Sequence, residues 1–370
     1  MSKLIIVQPW FTAVGHPAQS ILNTANALKD AIHISYLVSA QTGYSEDPLN
    51  TLRQTAKQVE TFKVNSASLR EGTLNALFAL CKLKKRSHNF THVFFFDAHL
   101  VLLSALWFLF YSLLKPQRLS LIYLMGPERI LRSRIATYLV TQFLKRKEVT
   151  LYLRTEELMV DWRKAFTNLA PADIRHLPSL ELPAPLAPIL PPIIGDQVKF
   201  GVLGQIRRGK GLEWLVPMFI RRPDLGELLV AGAFNNASEA EAMAFLQGFS
   251  GFRNEYLADD TMLAIAQQQH YLLMLYDHWD ARMESAVLYL AARAGRPVIA
   301  FGNGWCGRQI TEYGNGLIAP ANHADIESLL QSLPSPASAE YTKLLLGVEK
   351  FRQAHSSEKL RDLYLNELVN

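Results

Sequence analysis

The sequence predicts an α/β protein with two Rossmann-like, doubly wound domains that face a cleft. The chain has 370 residues, which is enough for two domains. Short apolar strand patterns alternate with helical patterns in both halves, as in parallel sheets covered by helices on both faces. A stretch with five prolines, residues 182–197, separates the two series and is typical of a stiff linker. Together these observations favour two sheets of the same kind.

In the first half, strands and helices are expected in turn. The predicted strands are Leu4–Gln8, Ile32–Ser39, Val93–Phe96, Ser120–Met125 and Thr150–Arg154, all apolar and rich in β-branched or aromatic residues. Among the helical patterns between them are Leu69–Arg86, Leu100–Leu114 and Glu128–Lys147. The order of strands and helices implies a doubly wound parallel sheet.

The alternation restarts after the linker. The predicted strands are Lys199–Leu203, Glu227–Ala231, His270–Tyr276, Arg296–Phe301 and Gly316–Ala319. The predicted helices are Leu212–Ile220, Ala237–Gly248, Thr261–Gln268, Met283–Ala294, His323–Leu330 and a last long stretch, Ala339–Leu368.

Four segments are therefore expected along the chain. Residues 1–181 form an N-terminal Rossmann-like domain, and residues 182–197 form the linker. Residues 198–338 form a C-terminal Rossmann-like domain, and residues 339–370 form a helix that crosses back to the first domain. In such sheets ligands bind at the carboxyl ends of the strands.

The charge is divided unevenly along the chain. Residues 1–185 carry 22 Lys and Arg against 13 Asp and Glu, whereas residues 186–370 carry 16 against 20, within a net charge of +5. The first half is therefore expected to meet an anionic partner. Nucleic acid is not expected, because no nucleic-acid-binding motif accompanies the charge.

The basic half is also the more apolar one. Leu100–Leu114 has no charged residue but is shorter than the 18 or so residues of a membrane span. Basic residues surround the apolar stripe of Glu128–Lys147 and close the pattern Leu69–Arg86. Basic amphipathic helices of this kind bind anionic bilayers. The alternative is that Leu100–Leu114 packs on the sheet and that the basic residues form a solvated face.

The two cysteines and the N-terminus bear on the compartment. Cys81 and Cys306 are too few for a disulfide framework, and residues 1–9 lack the pattern of a secretion signal. We therefore expect a cytoplasmic protein that associates peripherally with the inner face of the membrane.

A glycine-rich loop lies between a predicted strand and a predicted helix. It runs from Gly204 through Gln205, Arg207 and Lys210 to Gly211. Glycines let the backbone approach an anion, and the helix N-terminus offers free N–H groups. Lys210 and Arg207 add full charges suited to a diphosphate. The alternative is a plain turn with solvated basic residues.

A second candidate segment opens the predicted helix Met283–Ala294, which ends at Gly295 before Arg296-Pro297-Val298. Ser285 and neighbouring N–H groups are candidates to hold a phosphate. Arg282 is a further candidate to bind the same ligand. Glu284 is a candidate to bind a sugar hydroxyl or, in the plainer interpretation, to cap the helix.

These motifs resemble the nucleotide-sugar domain of GT-B glycosyltransferases, most closely the large retaining family that uses nucleotide donors. The loop ending Lys210-Gly211, the Gly-Arg-Pro-Val segment at Gly295 and the segment 310–316 carry the resemblance. It implies a glycosyltransferase in which Lys210 touches the donor diphosphate. The family's loop arginine falls on Gln205, so Arg207 is expected to take its place.

The resemblance has one clear departure. The family carries two glutamates eight positions apart before its Gly-Lys/Arg-Pro-Val segment. The corresponding positions are Arg282 and Leu290, while Glu284 is displaced by two and is followed eight residues later by Ala292. The retaining or inverting outcome is therefore left open.

Candidate residues in the first half follow predicted strands. Gly15 and His16 lie in the turn after the first strand, and Asp97 and His99 follow Val93–Phe96. Asp97 suits a general base for an inverting transfer, and His99 or His16 suits contact with the donor sugar or the acceptor. Glu128, after the next strand, is a weaker candidate to bind the acceptor. Each of these residues also has a structural interpretation, such as a helix cap for Asp97.

Neither a metal nor a cofactor is expected, because the ten histidines are scattered and no metal-binding spacing occurs. The expected partners are a nucleotide-sugar donor, a lipid-linked or saccharide acceptor and an anionic membrane surface. The reaction predicted is sugar transfer in lipopolysaccharide or exopolysaccharide synthesis. The alternatives are a nucleotide-sugar 2-epimerase of the same fold and a non-catalytic membrane-binding protein with a degenerate donor domain.

Overall fold

A computed structural model gives the fold in two compact units, one of Met1–Ala184 with His355–Asn370 and one of Pro185–Ala354. The structure describes most of the chain. The residues outside the description are 1–3, 10–16, 31–32, 42–46, 57, 65–77, 84–89, 97–98, 115–117, 171–172, 184–185, 193–194, 196, 235, 278–279 and 370.

The first unit is built on a seven-stranded parallel sheet in the order β3-β2-β1-β4-β5-β6-β7. Its strands are β1 Leu4–Gln8, β2 Ile34–Gln41, β3 Gln58–Val64, β4 His92–Phe95, β5 Arg118–Tyr123, β6 Val149–Leu153 and β7 Ile174–His176. The central strand β1 pairs with β2 on one side and β4 on the other, in register Leu4↔Ile34 and Leu4↔His92. All five predicted strands of this half are present, and two edge strands join them.

Helices connect these strands. Those with described bounds are α1 Pro17–Leu28, α2 Asp47–Thr55, α3 Leu100–Leu114, α4 Glu128–Leu131, α5 Arg134–Leu144 and α6 Glu156–Ala165. Residues 78–83 are also helical, while the rest of the predicted pattern Leu69–Arg86 is mostly outside the described residues.

The predicted helix Glu128–Lys147 is divided in two. Ser133 has an extended backbone conformation, and its side chain accepts a hydrogen bond from the Ala136 backbone N–H. It therefore caps a new helix, α5, and ends the continuity that the apolar stripe had indicated.

The second unit is built on a six-stranded parallel sheet in the order β10-β9-β8-β11-β12-β13. Its strands are β8 Lys199–Leu203, β9 Glu227–Gly232, β10 Phe252–Asn254, β11 Tyr271–Met274, β12 Val298–Phe301 and β13 Gly316–Ala319. Phe200, Val202, Leu273 and Ile299 belong to its buried core. The two parallel sheets confirm the predicted α/β, doubly wound fold class.

The helices of this unit are α7 Leu212–Arg221, α8 Ala237–Ala242, α9 Asp259–Gln267, α10 Ala286–Ala294, α11 Gly304–Tyr313, α12 His323–Gln331 and α13 Ala339–Ala354. Helix α10 starts three residues later than Met283, so Arg282 and Glu284 lie in the loop before it.

The predicted last stretch, Ala339–Leu368, is also two helices, because a further helix, α14, spans Ser357–Val369. Ser356 forms a parallel bridge with Leu182, and its hydroxyl accepts a hydrogen bond from the Lys359 backbone N–H. Helix α14 belongs to the first unit, where the Tyr152 hydroxyl donates to a Glu367 carboxylate oxygen at 2.7 Å.

Candidate functional site

The glycine-rich loop of the second unit follows β8 directly and leads into α7. Gly204, Gly209 and Gly211 have φ values of +88°, +82° and +71°. Side chains other than glycine rarely adopt this left-handed region, so the sequence of the loop is dictated by its backbone. The loop is tied to the residues after the neighbouring strand β11, because the Asp277 backbone N–H donates to the Gly209 carbonyl oxygen at 2.9 Å.

Lys210 is enclosed by this loop. Its side chain is only 7% exposed, and its Nζ donates to the Leu203 carbonyl oxygen at 3.1 Å. Burial, with a smaller contribution from the nearby charge of Arg207, lowers the pKa of Lys210 to about 7. In the described residues, no carboxylate forms an ion pair with Lys210. This environment therefore disfavours the ammonium form of Lys210, and a bound anion would stabilise that charge.

Tyr276 and Arg207 lie near Lys210, and Ser285 is linked to this group through Tyr276. The Lys210 Nζ lies 5.9 Å from the ring centroid of Tyr276, which follows β11. Burial lowers the pKa of Arg207, and electrostatic interactions with Tyr276 and Glu239 partly offset this decrease. Burial raises the pKa of the Tyr276 hydroxyl, and a hydrogen bond with Ser285 opposes that rise. Sequence reasoning missed Tyr276 as a site residue; its place at the carboxyl end of a buried strand was the available signal.

The structure thus brings together Lys210, Arg207 and Ser285 of the predicted donor residues, with Gly204 beside them. A Cβ placed on Gly204 would lie 3.9 Å from Lys210 Nζ. The carboxyl ends of β8 and β11 and the N-termini of α7 and α10 supply this group. Such an arrangement of cations, glycines and free N–H groups suits a phosphate or diphosphate.

The other predicted donor residues are placed differently. The Arg282 guanidinium donates to both carboxylate oxygens of Asp280, at 2.8 and 2.7 Å, and this contact holds the pKa of Asp280 below its usual value. The Glu284 carboxylate accepts a hydrogen bond from the Tyr289 hydroxyl at 3.1 Å. Gln205 is exposed. The roles of these three residues as donor ligands stay predictions.

Arg296 of the Gly-Arg-Pro-Val segment has a structural role. Its side chain is 1% exposed and donates to the carbonyl oxygens of Gln269, Gln267 and Leu190 at 2.8, 2.6 and 2.8 Å. It therefore fixes the residues before β11 and the proline-rich segment to the start of β12.

In the first unit, His99 and Glu128 follow the adjacent strands β4 and β5, and both therefore lie toward the carboxyl ends of the strands. His99 is half-buried and Glu128 is exposed. Gly15, His16 and Asp97 lie outside the described residues. Arg154, directly after β6, is buried. Its guanidinium lies 5.3 Å from the Phe96 ring centroid and donates a hydrogen bond to the Tyr364 hydroxyl at 2.6 Å.

Two kinds of feature are absent from the described residues. No group of three or more His, Cys, Asp or Glu side chains there is arranged to hold a metal ion. None of the described helices combines the length and the apolar character needed to cross a bilayer.

Comparisons with known proteins give a consistent answer for the fold. HepE (Alr3699) from Anabaena, solved with UDP, matches with a TM-score of 0.70 and 13% identity over 100% of this chain and 99% of that one. The chain has the GT-B fold.

Two further GT-B structures are similar over the whole length. Sucrose-phosphate synthase from Thermosynechococcus elongatus has a TM-score of 0.70 and 12% identity, covering 100% of this chain and 98% of that one. WaaG, a glycosyltransferase involved in lipopolysaccharide biosynthesis, has a TM-score of 0.64 and 12% identity, covering 100% of both chains. No family model matches the sequence, and no curated protein matches it either.

Proposed function

We propose that this GT-B chain is a metal-independent glycosyltransferase that moves a sugar from a nucleotide donor to a lipid-linked or saccharide acceptor of lipopolysaccharide or exopolysaccharide synthesis. It acts at the cytoplasmic face of a membrane, with which it associates peripherally. The observation that carries the proposal is the buried cation of Lys210 in a glycine loop at the carboxyl end of β8. Among the similar structures, HepE was solved with UDP and with UDP and glucose.

The donor half of the reaction belongs to the second unit. When the bond between the anomeric carbon and the diphosphate oxygen breaks, its electron pair stays on the departing diphosphate. Lys210, Arg207 and the N–H groups at the start of α7 stabilise that charge, because they are already oriented and partly dehydrated. Ser285 is assigned to hold a second phosphate oxygen, and Arg282 and Glu284 are assigned to the donor's remaining groups.

The acceptor half is assigned to the first unit. The acceptor hydroxyl oxygen forms the new bond to the anomeric carbon, and its proton passes to a base. Asp97 is the assigned base of an inverting transfer, and His99 and His16 are assigned to the donor sugar or the acceptor. Gly15 permits close approach of the acceptor, and Glu128 offers it a carboxylate.

Nucleotide titration tests the donor site. We expect calorimetry with UDP, GDP, ADP and CDP to show binding of at least one nucleotide, and Lys210→Met to weaken it by about tenfold or more, since a charge-assisted contact to phosphate is lost. Lys343→Met changes an exposed lysine of the same unit and serves as the matched control. If none of the four nucleotides binds, the donor-site proposal fails.

Turnover tests the assignment of the base. We expect Asp97→Asn to reduce transfer by about 10²-fold or more while nucleotide affinity is kept. Asp362→Asn, an exposed carboxylate of the same unit, is the control. Near-normal turnover in Asp97→Asn would remove Asp97 from this role.

A non-catalytic membrane-binding protein with a degenerate donor domain is the second candidate. Leu290, at one position where the resembling family has a glutamate, is buried among apolar residues of α10. Nucleotide binding without transfer to any acceptor and without donor hydrolysis would favour this candidate.

A further inference from the structure

Helices α4 and α5 of the first unit expose a row of large apolar side chains. Ile135 is 74% exposed, Tyr138 is 64% exposed and Leu131 is 44% exposed. Ile135 and Tyr138 are three residues apart in α5 and are therefore neighbours on one face. Leu131 closes α4 four residues before Ile135. We call this row, with the adjoining Arg129, Arg132 and Arg134, the α4–α5 surface.

The opposite face of α5 explains why this row points outward. Ala136, Val140, Phe143 and Leu144 are buried, and Trp107 of α3 packs on Phe143 with ring centroids 5.6 Å apart. The helix therefore already has a complete apolar face against the fold. Ile135 and Tyr138 form a second apolar face, which folding of this unit does not require.

The surface is held in place by the joint between the two helices. The Thr137 hydroxyl lies within hydrogen-bond distance of the carbonyl oxygens of Ile130 and Ser133, at 3.1 and 2.9 Å. Ile130 itself is buried in the core. Because the joint is anchored, the row is presented without an additional ordering step.

The charges around the row are basic. Arg129, Arg132 and Arg134 are exposed, and among the described residues no carboxylate forms an ion pair with any of them. Lys145, at the end of α5, lies seven residues after Tyr138 and so on the same side of the helix. Glu128 is the acidic residue of this stretch. Apolar side chains within a cluster of unpaired arginines match the headgroups and acyl chains of an anionic bilayer.

The other apolar, basic stretches of this half do not offer a comparable described surface. Leu103 and Trp107 of α3 are buried, and Ser104 between them is buried as well. The described part of α3 therefore packs inside the unit. In the described residues 78–83 of the pattern Leu69–Arg86, Phe78 is exposed, but Ala79, Leu80 and Leu83 are buried, so no row of exposed apolar side chains forms there.

We infer that the α4–α5 surface docks on an anionic lipid bilayer, with Ile135 and Tyr138 inserted at the headgroup boundary and the three arginines on lipid phosphates. The inference rests on the proposed peripheral location and names the surface responsible for it. It also sets the orientation of the first unit, because the axis of α5 lies in the membrane plane.

Vesicle binding tests the inference. Native protein is mixed with vesicles of phosphatidylcholine, or of phosphatidylcholine with phosphatidylglycerol, and the bound fraction is measured by flotation. We expect binding to the anionic vesicles. The triple variant Arg129→Gln/Arg132→Gln/Arg134→Gln should weaken it by at least about 30-fold, since each basic residue near such a surface contributes about fivefold. Ile135→Ser/Tyr138→Ser should weaken it by at least about tenfold, since apolar burial is lost.

The matched control is Ile220→Ser/Arg221→Gln. These residues form an exposed apolar and basic pair at the end of α7 in the other unit, and the change should leave vesicle binding as it is. A Tyr138→Trp variant provides a direct readout of insertion. We expect its added fluorescence, relative to the native protein, to shift to the blue with anionic vesicles and to be quenched by brominated lipid.

Three results would overturn the inference. The first is undiminished vesicle binding by both surface variants, which would place the contact elsewhere on the protein. The second is a native dimer that dissociates in Ile135→Ser/Tyr138→Ser, which would assign the surface to a second copy of the chain. The third is absence of native binding to anionic vesicles, which removes the peripheral location too. Nucleotide titration of the same variants is performed without lipid, so failure of the donor-site proposal is seen separately.

Discussion

Lys210 Nζ donates a hydrogen bond to the carbonyl oxygen of Leu203 at 3.1 Å, so the lysine side chain folds back on the glycine loop that carries it. The lysine therefore sits at the carboxyl end of β8 rather than in solvent. Burial and the charge of Arg207 destabilise a cation in this position. A bound anion offsets both effects by attracting the ammonium group. The loop is thus built around a charge that lacks a counter-ion within the described residues.

The stability of the native chain should depend on pH through Lys210. In the folded protein the pKa of Lys210 is lowered from 10.5 to about 7, so between these values the unfolded chain binds more protons. Stability therefore rises with pH across this window. Relative to Lys210→Met, the free energy of unfolding of the native protein should increase by roughly 2 kcal/mol from pH 7.5 to 9.5.

Urea unfolding of both proteins at several pH values measures this difference. Groups other than Lys210 titrate alike in the two proteins and cancel. An equal pH dependence in native protein and Lys210→Met would mean that Lys210 keeps an ordinary pKa.

Nucleotide binding should take up a proton at Lys210. A bound diphosphate favours the ammonium form, which is the minor form above pH 7. We therefore expect UDP affinity, or that of whichever nucleotide binds, to fall by about tenfold from pH 7 to pH 9. Calorimetry at pH 8 in buffers of different ionisation enthalpy should show net proton uptake. Uptake that persists in Lys210→Met would assign the proton to another group.

The backbone of the loop can be tested with two glycines. Gly204 and Gly314 both have positive φ, at +88° and +69°, so alanine strains either position by about 1 kcal/mol or more. Only at Gly204 does the added Cβ come near Lys210 Nζ; at Gly314 it meets nothing within 4 Å. Gly204→Ala should therefore weaken nucleotide binding, while Gly314→Ala lowers thermal stability alone. Equal nucleotide affinities for the two variants would contradict a ligand beside Gly204.

Much of the fold was predictable because buried parallel strands consist of runs of apolar residues, which the sequence shows directly. Lys199–Leu203 and Gly316–Ala319 are found with the predicted bounds. The strands that were missed lie at sheet edges: Gln58–Val64 mixes polar with apolar residues, and Ile174–His176 and Phe252–Asn254 have three residues each. A single helix was predicted over Glu128–Lys147 because the apolar stripe continues past Ser133, where the structure caps a second helix.

The candidate site was predictable only in part. The glycine spacing identified the loop, since positive φ values demand glycine. It did not reveal that Lys210 is buried or that Tyr276 lies beside it, because both depend on how β8 and β11 are paired. Arg282 was predicted as a donor ligand, and the structure pairs its guanidinium with Asp280, two residues before it.

Arg296 should matter for stability and not for the chemistry of transfer. Replacement by methionine removes the donor from several buried carbonyl oxygens, among them those of Gln267 and Gln269. We expect Arg296→Met to lower the free energy of unfolding by about 3 kcal/mol. Arg293→Met, which breaks a partly exposed ion pair with Asp259, should change it by about 1 kcal/mol or less. Urea unfolding compares the two; equal losses would show that the carbonyl contacts add little.

His92 should make the first unit sensitive to acid. Its Nδ1 lies 2.7 Å from the Leu368 carbonyl oxygen, so Nδ1 carries the hydrogen, and Nε2 accepts from the Ser120 hydroxyl at 2.8 Å. Burial, with a smaller contribution from the charge of Arg118, lowers the pKa of His92 from 6.5 to about 4, although the hydrogen bond to Leu368 acts in the opposite direction. Between these values the unfolded chain binds the extra proton, so stability is lost as the pH falls from 6.5 toward 4.

The loss from this one residue should reach about 3 kcal/mol at pH 4. Because Leu368 belongs to α14, protonation of Nε2 should loosen the C-terminal helix first, and hydrogen exchange in Ser357–Val369 should accelerate in acid before the rest of the unit. His92→Gln should remove this dependence, whereas His323→Gln, an exposed histidine of the other unit, should preserve it. An NMR titration that gives His92 a pKa near 6.5 would contradict the prediction, because an imidazole that protonates there is not held neutral by the fold.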